Sequence, residues 1–308
     1  MMIAKMLLLL SVLTALLLAG CNARTEEKPA PMLPENFGDY WYQGKAELTR
    51  YSLEQARYGE IHTGEAVLIF VTEDFLSDQQ IKYEFGPGDN KETVLKLNAA
   101  RHFYTGIYPY SLLTSTFTPL GSAHHKSLKV SASTQEWCGH AYTQLNLRER
   151  QYRVRSHSYF QKEGDRDFEV PAALLEDEIW TLIRLSPENL PTGEISLIPG
   201  LQHTRLRHLD LRPYAARATR TTTTDPDLPD QPLQTYTVTY SEISRTLTIT
   251  YEEAFPHRIL KWEETVQSGF GDPKILTTKA VRTNSMMAPY WQMHSVADST
   301  ARRELGLE

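Results

Sequence analysis

The run Ala66-Val67-Leu68-Ile69-Phe70-Val71 decides the fold class. Every position in it is apolar, so both faces need cover, which is typical of a central strand in a sheet. Short runs rich in Thr, Tyr, Val and Ile recur on both sides of it, and Gly, Pro, Asp or Asn separate them. This pattern predicts a mainly β protein with antiparallel strands.

One segment, 171–185, changes to a helical period. Its apolar residues recur at steps of three and four: Ala172, Leu175, Ile179, Leu182 and Ile183. We therefore predict an amphipathic helix with Pro171 near its first turn, ended by the proline-containing segment that begins at Ser186. The helix would join two β-rich lobes, 40–165 and 192–285. The predicted fold is a curved antiparallel sheet, either a half-barrel or two packed β lobes, around this central helix.

Two further segments have local predictions. The residues Ser299–Leu307 read as a short C-terminal helix, and Thr221–Pro232 (TTTTDPDLPDQP) reads as a long mobile hairpin loop because of its low complexity. The densest basic stretch, His203–His208, is predicted to be an exposed strand face that an anionic lipid could use.

Composition limits the classes of partner. The chain has 308 residues, of which 41% are hydrophobic and 23% charged, which is ordinary for a globular protein. Its 32 Lys and Arg against 38 Asp and Glu give a net charge of −6. Nucleic acid is a poor partner for such a chain, because backbone binding needs a concentrated cationic face.

The N-terminus predicts export and lipid anchoring. Lys5 precedes an apolar run, Met6–Leu18, that is too short to span a membrane and is typical of a signal peptide. The run ends in Leu-Ala-Gly-Cys, which resembles the lipobox of bacterial lipoproteins and implies cleavage of residues 1–20. Cys21 would then carry diacylglyceryl and an amide-linked acyl chain such as palmitate, which together anchor a protein durably.

The residues after the anchor predict a location. Residues 21–37 are polar and proline-rich, so we expect a flexible tether before a β-rich domain at 38–308. The acidic pair Glu26-Glu27 resembles export signals of bacterial lipoproteins and favours the outer membrane, facing the periplasm. Once Cys21 is acylated, Cys138 is the one cysteine left, so no intramolecular disulfide is expected.

Catalytic motifs are missing from the sequence. The chain has no G-x-S-x-G, H-E-x-x-H, C-x-x-C or G-x-G-x-x-G, and we predict no catalytic residue, metal or cofactor. The best chemical candidate is Glu136-Trp137-Cys138-Gly139-His140, with thiol and imidazole two residues apart on a predicted strand. It fits either a buried Cys138 beside Trp137, with His140 held by a backbone carbonyl, or a nucleophilic thiol.

An aromatic stretch, His102–Tyr110, is the second candidate. Its tyrosines Tyr104, Tyr108 and Tyr110 have apolar rings and polar tips, which suit a groove for a sugar, peptide or lipid. The same residues also suit a β core whose hydroxyls reach the rim.

Several stretches carry a resemblance to a known group of proteins: FGDYWYQGKAELTRYSLEQARYGE, GEAVLIFVTEDF, VLKLNAARHFYTGIYPYSLLTSTFTP, QEWCGH and ALLEDEIWTLIRL. They resemble an uncharacterised family of bacterial envelope lipoproteins, some of which carry the label septum formation inhibitor Maf. The S-x-S-P-R-R motif of the Maf nucleotide pyrophosphatases does not occur in the chain. The resemblance implies an envelope lipoprotein and carries over no activity.

The functional prediction combines these observations. We expect an envelope lipoprotein that acts as a non-enzymatic binding, carrier or scaffold protein. Its partners would be the membrane, through acylated Cys21, an amphiphile or glycan ligand, and an envelope protein. The alternative is a cysteine-dependent hydrolase or transferase that uses Cys138 and His140.

Overall fold

The computed structural model describes residues 33–121, 126–226 and 228–307. The predicted signal peptide, the predicted acylation site Cys21 and most of the predicted tether lie outside these residues. Within them, no helix combines the length and the apolar character that crossing a membrane requires.

The strands and helices follow the chain in this order. The first half contains α1 (Phe37–Trp41), β1 (Ala46–Arg57), β2 (Glu60–Leu76), β3 (Ile81–Lys82), β4 (Lys91–Thr105), β5 (Tyr108–Pro119), β6 (Lys129–Glu136), β7 (Gly139–Arg148), β8 (Gln151–Ser158), β9 (Arg166–Pro171) and β10 (Leu174–Leu175). The second half contains α2 (Glu176–Leu185), β11 (Gly193–Ile198), α3 (Leu201–Arg207), β12 (Tyr214–Asp225), β13 (Leu228–Tyr240), β14 (Arg245–Glu252), β15 (Ile259–Ser268), β16 (Lys274–Ala288) and α4 (Ser299–Glu304).

All sixteen strands belong to one curved, non-closed sheet, which confirms the predicted mainly β class. Its order is β10-β11-β12-β13-β14-β15-β16-β1-β2-β4-β5-β6-β7-β8-β9, with β3 paired to β2. Nearly every pair is antiparallel, and β10 with β11 is parallel. The pairing of β1 with β16 joins the two predicted lobes within the same sheet.

The apolar run lies in β2, an interior strand next to the middle of the sheet order, as the run predicts. Ala66, Leu68 and Phe70 belong to the main core on the concave side of the sheet. Val71, on the other face, packs in a separate cluster that includes Leu305, just after α4. Residues before and after the short C-terminal helix, among them Tyr290, Met293 and Leu305, therefore cover the outer face of β2, which explains why both faces of the run are apolar.

The central helix begins five residues later than the sequence predicts. Pro171 ends β9, and α2 starts at Glu176, where the Glu178 carboxylate reaches back and accepts the Leu175 N–H at 2.9 Å. Nine of the ten residues of α2 are buried. The sheet thus wraps around a helix that is covered on all sides, and its concave face is filled by α2.

A buried ion pair fastens α2 to β1. The Arg184 guanidinium donates to both oxygens of Glu47, at 2.6 and 2.7 Å, and its Nε donates to the Pro256 carbonyl at 2.8 Å. The Arg184 charge holds the pKa of Glu47 below its usual value, although burial alone would raise it. Trp180 of the same helix meets Trp262 edge to face at 5.2 Å.

Two local predictions are wrong. The segment His203–His208 is not an exposed strand face, because it lies mostly in α3 and the His203 side chain is only 8% exposed. The segment Thr221–Pro232 is not a long loop, because β12 continues to Asp225 and β13 begins at Leu228. Consecutive β-branched threonines favour extended backbone, and this preference outweighs the low complexity of the segment.

Candidate functional site

Six β-hairpins turn at the same end of the sheet, which we call the hairpin end. The last residue pairs before these turns are Arg57–Glu60, Thr105–Tyr108, Glu136–Gly139, Ser156–Arg166, Tyr240–Arg245 and Ser268–Lys274. The helix α3 lies at this end too, since the Arg57 guanidinium donates to the Leu206 carbonyl at 2.7 Å. The N-terminal helix α1 precedes the start of β1 and therefore lies at the opposite end.

A cleft of about 390 Å³ opens at the hairpin end between α3 and the turns β1–β2 and β15–β16. We call it the arginine–tyrosine cleft; its walls include Arg57, Tyr58, Phe160, Arg205, Arg207 and Phe270. Depressions of about 410 and 500 Å³ lie elsewhere on the surface. The arginine–tyrosine cleft differs from them because it brings three guanidinium groups together with aromatic rings.

A row of aromatic side chains extends from the cleft across the neighbouring turns. Phe270 stacks on Tyr58 at 5.5 Å, and the Tyr58 hydroxyl lies 2.7 Å from that of Tyr110 and 3.3 Å from that of Tyr108. Tyr108 then stacks on Trp137 at 6.2 Å. The structure therefore brings together Tyr108, Tyr110 and Trp137 of the predicted residues.

The predicted tyrosines have different environments. Tyr110 is buried and stacks on Phe103 at 4.8 Å, so its ring belongs to the core while its hydroxyl reaches the row. Tyr104 is exposed and points away from the concave side. Tyr58, which the sequence did not single out, is the residue that connects the row to the cleft.

Positive charge is concentrated in the cleft. Arg57 lies 4.2 Å above the Tyr58 ring and 5.5 Å above the Tyr110 ring. Burial would raise the pKa of Tyr58, but hydrogen bonds from Tyr108 and Tyr110 and the Arg57 charge lower it. Burial and the nearby Arg57 charge lower the pKa of Arg207 as well. Two guanidinium groups thus repel each other across this site.

Among the described residues, no carboxylate oxygen lies within 4.0 Å of an Arg207 side-chain nitrogen. Glu264 attracts it at longer range, but that carboxylate is bound to Arg245 and His203. The one acid in the cleft wall is Glu136, whose Oε2 accepts the Cys138 N–H at 2.7 Å. The cleft therefore has unbalanced positive charge and suits an anionic group.

The predicted strand and buried thiol at Cys138 are both wrong. Trp137 and Cys138 form the two-residue turn between β6 and β7, and both side chains are exposed. A hydrogen bond between the Cys138 side chain and the Glu136 carboxylate raises the pKa of the thiol. His140 is exposed in a separate depression beside Tyr142 and Tyr159, so the structure does not bring this imidazole to the thiol.

A buried polar cluster beneath α3 was missed by sequence reasoning. Arg245 pairs with both oxygens of Glu176 and donates to Glu264 at 2.8 Å. His203 contacts the same Glu264 carboxylate at 2.7 Å, and Asp177 accepts the Leu201 N–H at 2.9 Å. These residues line an interior cavity of about 50 Å³. Their places in the sequence are far apart, and no motif links them.

Electrostatics in this cluster follow from burial and pairing. Burial raises the pKa of Asp177 to about 7. Burial also lowers the pKa of His203, with help from Arg245. Glu264 keeps a pKa well below its usual range, against the effect of burial, because Arg245 and His203 stabilise its charge. The cluster therefore ties α3 to α2 and to β15 through charged groups.

Metal binding has no candidate among residues 33–121, 126–226 and 228–307, where no group of three or more His, Cys, Asp or Glu could hold an ion. The fold and the site thus define a sheet wrapped around one helix, with a cationic and aromatic cleft at its hairpin end. No protein-family model, no curated protein and no solved structure matches the chain. Functional inference rests on the residues of the cleft.

Proposed function

We propose that the protein is a non-enzymatic binding protein of the bacterial cell envelope that holds an amphiphile with an anionic head group. The head group binds between Arg57 and Arg207, and the apolar part lies along the aromatic row from Phe270 to Trp137. The protein is anchored to the outer membrane through acylated Cys21 and faces the periplasm.

One observation carries this proposal: Arg57 and Arg207 line the same cleft, and within the described residues neither has a carboxylate partner within 4.0 Å. Holding like charges together costs free energy unless a counter-ion compensates. A phosphate, sulfate or carboxylate group in the cleft would bridge the two guanidinium groups.

The aromatic row supports an amphiphile over a small inorganic anion. A cleft of about 390 Å³ is large enough for a ligand of moderate size. Rings of Tyr58, Tyr108 and Trp137 provide a surface for an acyl chain or for the apolar face of a sugar. The cysteine enzyme has less support, because the Cys138 thiol has a raised pKa and His140 lies in another depression.

Titration of the full chain with single-chain amphiphiles tests the proposal. We expect dodecyl phosphate, below its micelle concentration, to bind more tightly than dodecyl trimethylammonium in isothermal calorimetry. Replacing Arg207 with Ala should weaken dodecyl phosphate binding by roughly tenfold to a hundredfold, since a hydrogen bond to a charged group contributes about 1.5–3 kcal/mol.

The matched control is Arg217→Ala. Arg217 lies on β12, is exposed and pairs with Glu194 outside the cleft, so its loss should leave the affinity unchanged. Equal affinity for the anionic and cationic amphiphiles, or equal loss in the two variants, would contradict the proposal.

A further inference from the structure

Exposed apolar side chains are concentrated at the hairpin end. Large hydrophobic residues project there from four different turns or the strand ends beside them: Tyr104, Ile107, Trp137, Tyr159 and Phe270. Ile107 is 81% exposed and Phe270 is 85% exposed. Ordinary surfaces carry such residues singly, so a set gathered at one end of the molecule indicates an interaction surface.

We propose that the hairpin end docks onto a lipid bilayer and inserts these turn residues among the lipid head groups and the first carbons of the acyl chains.

Residue type and placement favour a bilayer over a protein partner. Trp137, Tyr104 and Tyr159 are of the two types that prefer the interface of a membrane, where the ring is apolar and the polar atom stays hydrated. The side chains project from separate turns around a cleft instead of forming one flat patch. Separate projections can enter a fluid layer individually, whereas a protein partner would need a matching depression for each.

Charge complementarity gives the second argument. The arginine–tyrosine cleft lies among the turns, and Arg205 in its wall is paired with Glu163 at 3.6 Å, which leaves Arg57 and Arg207 against the single wall carboxylate of Glu136. Lipid phosphate groups would meet a net positive surface at the same depth as the inserted rings. The surface therefore fits a bilayer that contains anionic lipid.

The position of the N-terminus is compatible with this docking. The helix α1 and residues 33–36 before it lie at the end opposite the turns, so the described chain begins away from the hairpin end. The twelve residues of β1 separate the two ends by about 40 Å, at roughly 3.3 Å per residue. Docking of the turns is thus a contact separate from the anchor.

Tryptophan quenching in the full chain tests the proposal. The protein would be reconstituted on vesicles of phosphatidylethanolamine and phosphatidylglycerol with brominated acyl chains, which quench tryptophans that enter the bilayer. Trp41, Trp180 and Trp262 are buried in the core, so Trp137 and Trp291 are the reporters in the described chain. We expect quenching in the unmodified protein and its loss in Trp137→Phe.

The control variants distinguish the two ends of the molecule. Trp291→Phe should retain the quenching. Ile107→Ser should lower the equilibrium constant for docking roughly tenfold, because burial of one large aliphatic side chain contributes about one order of magnitude to such a constant. Phe85 is as exposed as Phe270, at 85%, but lies at the opposite end, so Phe85→Ser should change nothing.

Two results would overturn the docking proposal: no quenching in the unmodified protein, or equal quenching in Trp137→Phe. Failure of docking is distinguishable from failure of the proposed function. Ile107 is not in the wall of the arginine–tyrosine cleft, so Ile107→Ser should bind dodecyl phosphate as tightly as the unmodified protein.

Discussion

We expect Asp177 to make the stability of the protein depend on pH, and replacing it with Asn tests this expectation. The Asp177 carboxylate accepts the Leu201 N–H at 2.9 Å, and an Asn side-chain oxygen can accept the same hydrogen bond. Asp177→Asn therefore removes a titrating group while it keeps the contact between α2 and α3. The change isolates the effect of the proton.

The expected size follows from the two pKa values. Burial raises the pKa of folded Asp177 to about 7, whereas an unfolded Asp has a pKa of about 3.9. Between these values the folded state holds a proton that the unfolded state has released, so the free energy of unfolding falls as pH rises. The slope is about 1.4 kcal/mol per pH unit, which gives roughly 2–3 kcal/mol between pH 5 and pH 7.

Neighbouring groups contribute in both proteins and do not disturb the comparison. Burial also raises the pKa of Glu178 to about 7, so the variant should keep about half of the slope. His203 and His257 have lowered pKa values, and their protonation costs stability as pH falls below the ordinary histidine range. This histidine effect has the opposite sign and is common to both chains.

Urea unfolding followed by tryptophan fluorescence, at intervals from pH 5 to pH 8, measures the difference. We expect the two proteins to have similar stability at pH 5 and the Asn variant to be the more stable one at pH 8. Parallel curves would refute the reasoning, because they would mean that Asp177 titrates at an ordinary pKa in the folded protein.

Three further predictions concern single contacts. Glu47→Gln leaves a buried guanidinium without its anion and should lower the free energy of unfolding by about 3–5 kcal/mol in urea; a loss below 1 kcal/mol would mean that water reaches the pair. Gly64→Ala should lower the free energy of unfolding by several kcal/mol, because the new Cβ would lie 2.2 Å from a backbone carbonyl oxygen. Gly139→Ala should lower it far less, because its Cβ would meet an exposed tyrosine ring at 2.6 Å, and the ring can move. Equal melting temperatures of the two variants would contradict this difference. Cys138 should react with iodoacetamide more slowly than free cysteine at pH 7, and Glu136→Gln should speed the reaction, because the carboxylate raises the pKa of the thiol; a rate that the substitution leaves unchanged would exclude this cause.

The sequence predicts the sheet well because strand pairing follows local alternation and turn residues. The run at Ala66–Val71 lies in β2, an interior strand with neighbours on both sides. Burial of the central helix was harder to predict. Glu176, Glu178 and Arg184 give α2 a polar face, yet those residues are buried because partners from distant strands satisfy their charges.

The candidate site was predicted only in part, for the same reason. Tyr108 and Tyr110 were recognised from one aromatic stretch, but Arg57, Tyr58 and Arg207 come from other segments. In a sheet built of hairpins, turns that are far apart in the sequence lie at the same end of the molecule. No local sequence pattern indicates which of these turns become neighbours. Tyr58 has a positive φ, which is typical of a tight turn. Five other non-glycine residues of the described chain have one too, so this feature does not identify the cleft.

The most direct test of the anionic-amphiphile proposal is native mass spectrometry of the full chain, extracted gently from its own envelope. Our account predicts an added mass that tandem spectra assign to an amphiphile with a phosphate, sulfate or carboxylate group, present in the unmodified protein and in Arg217→Ala and absent from Arg207→Ala. A ligand without an anionic group, or one retained equally by Arg207→Ala, would contradict it.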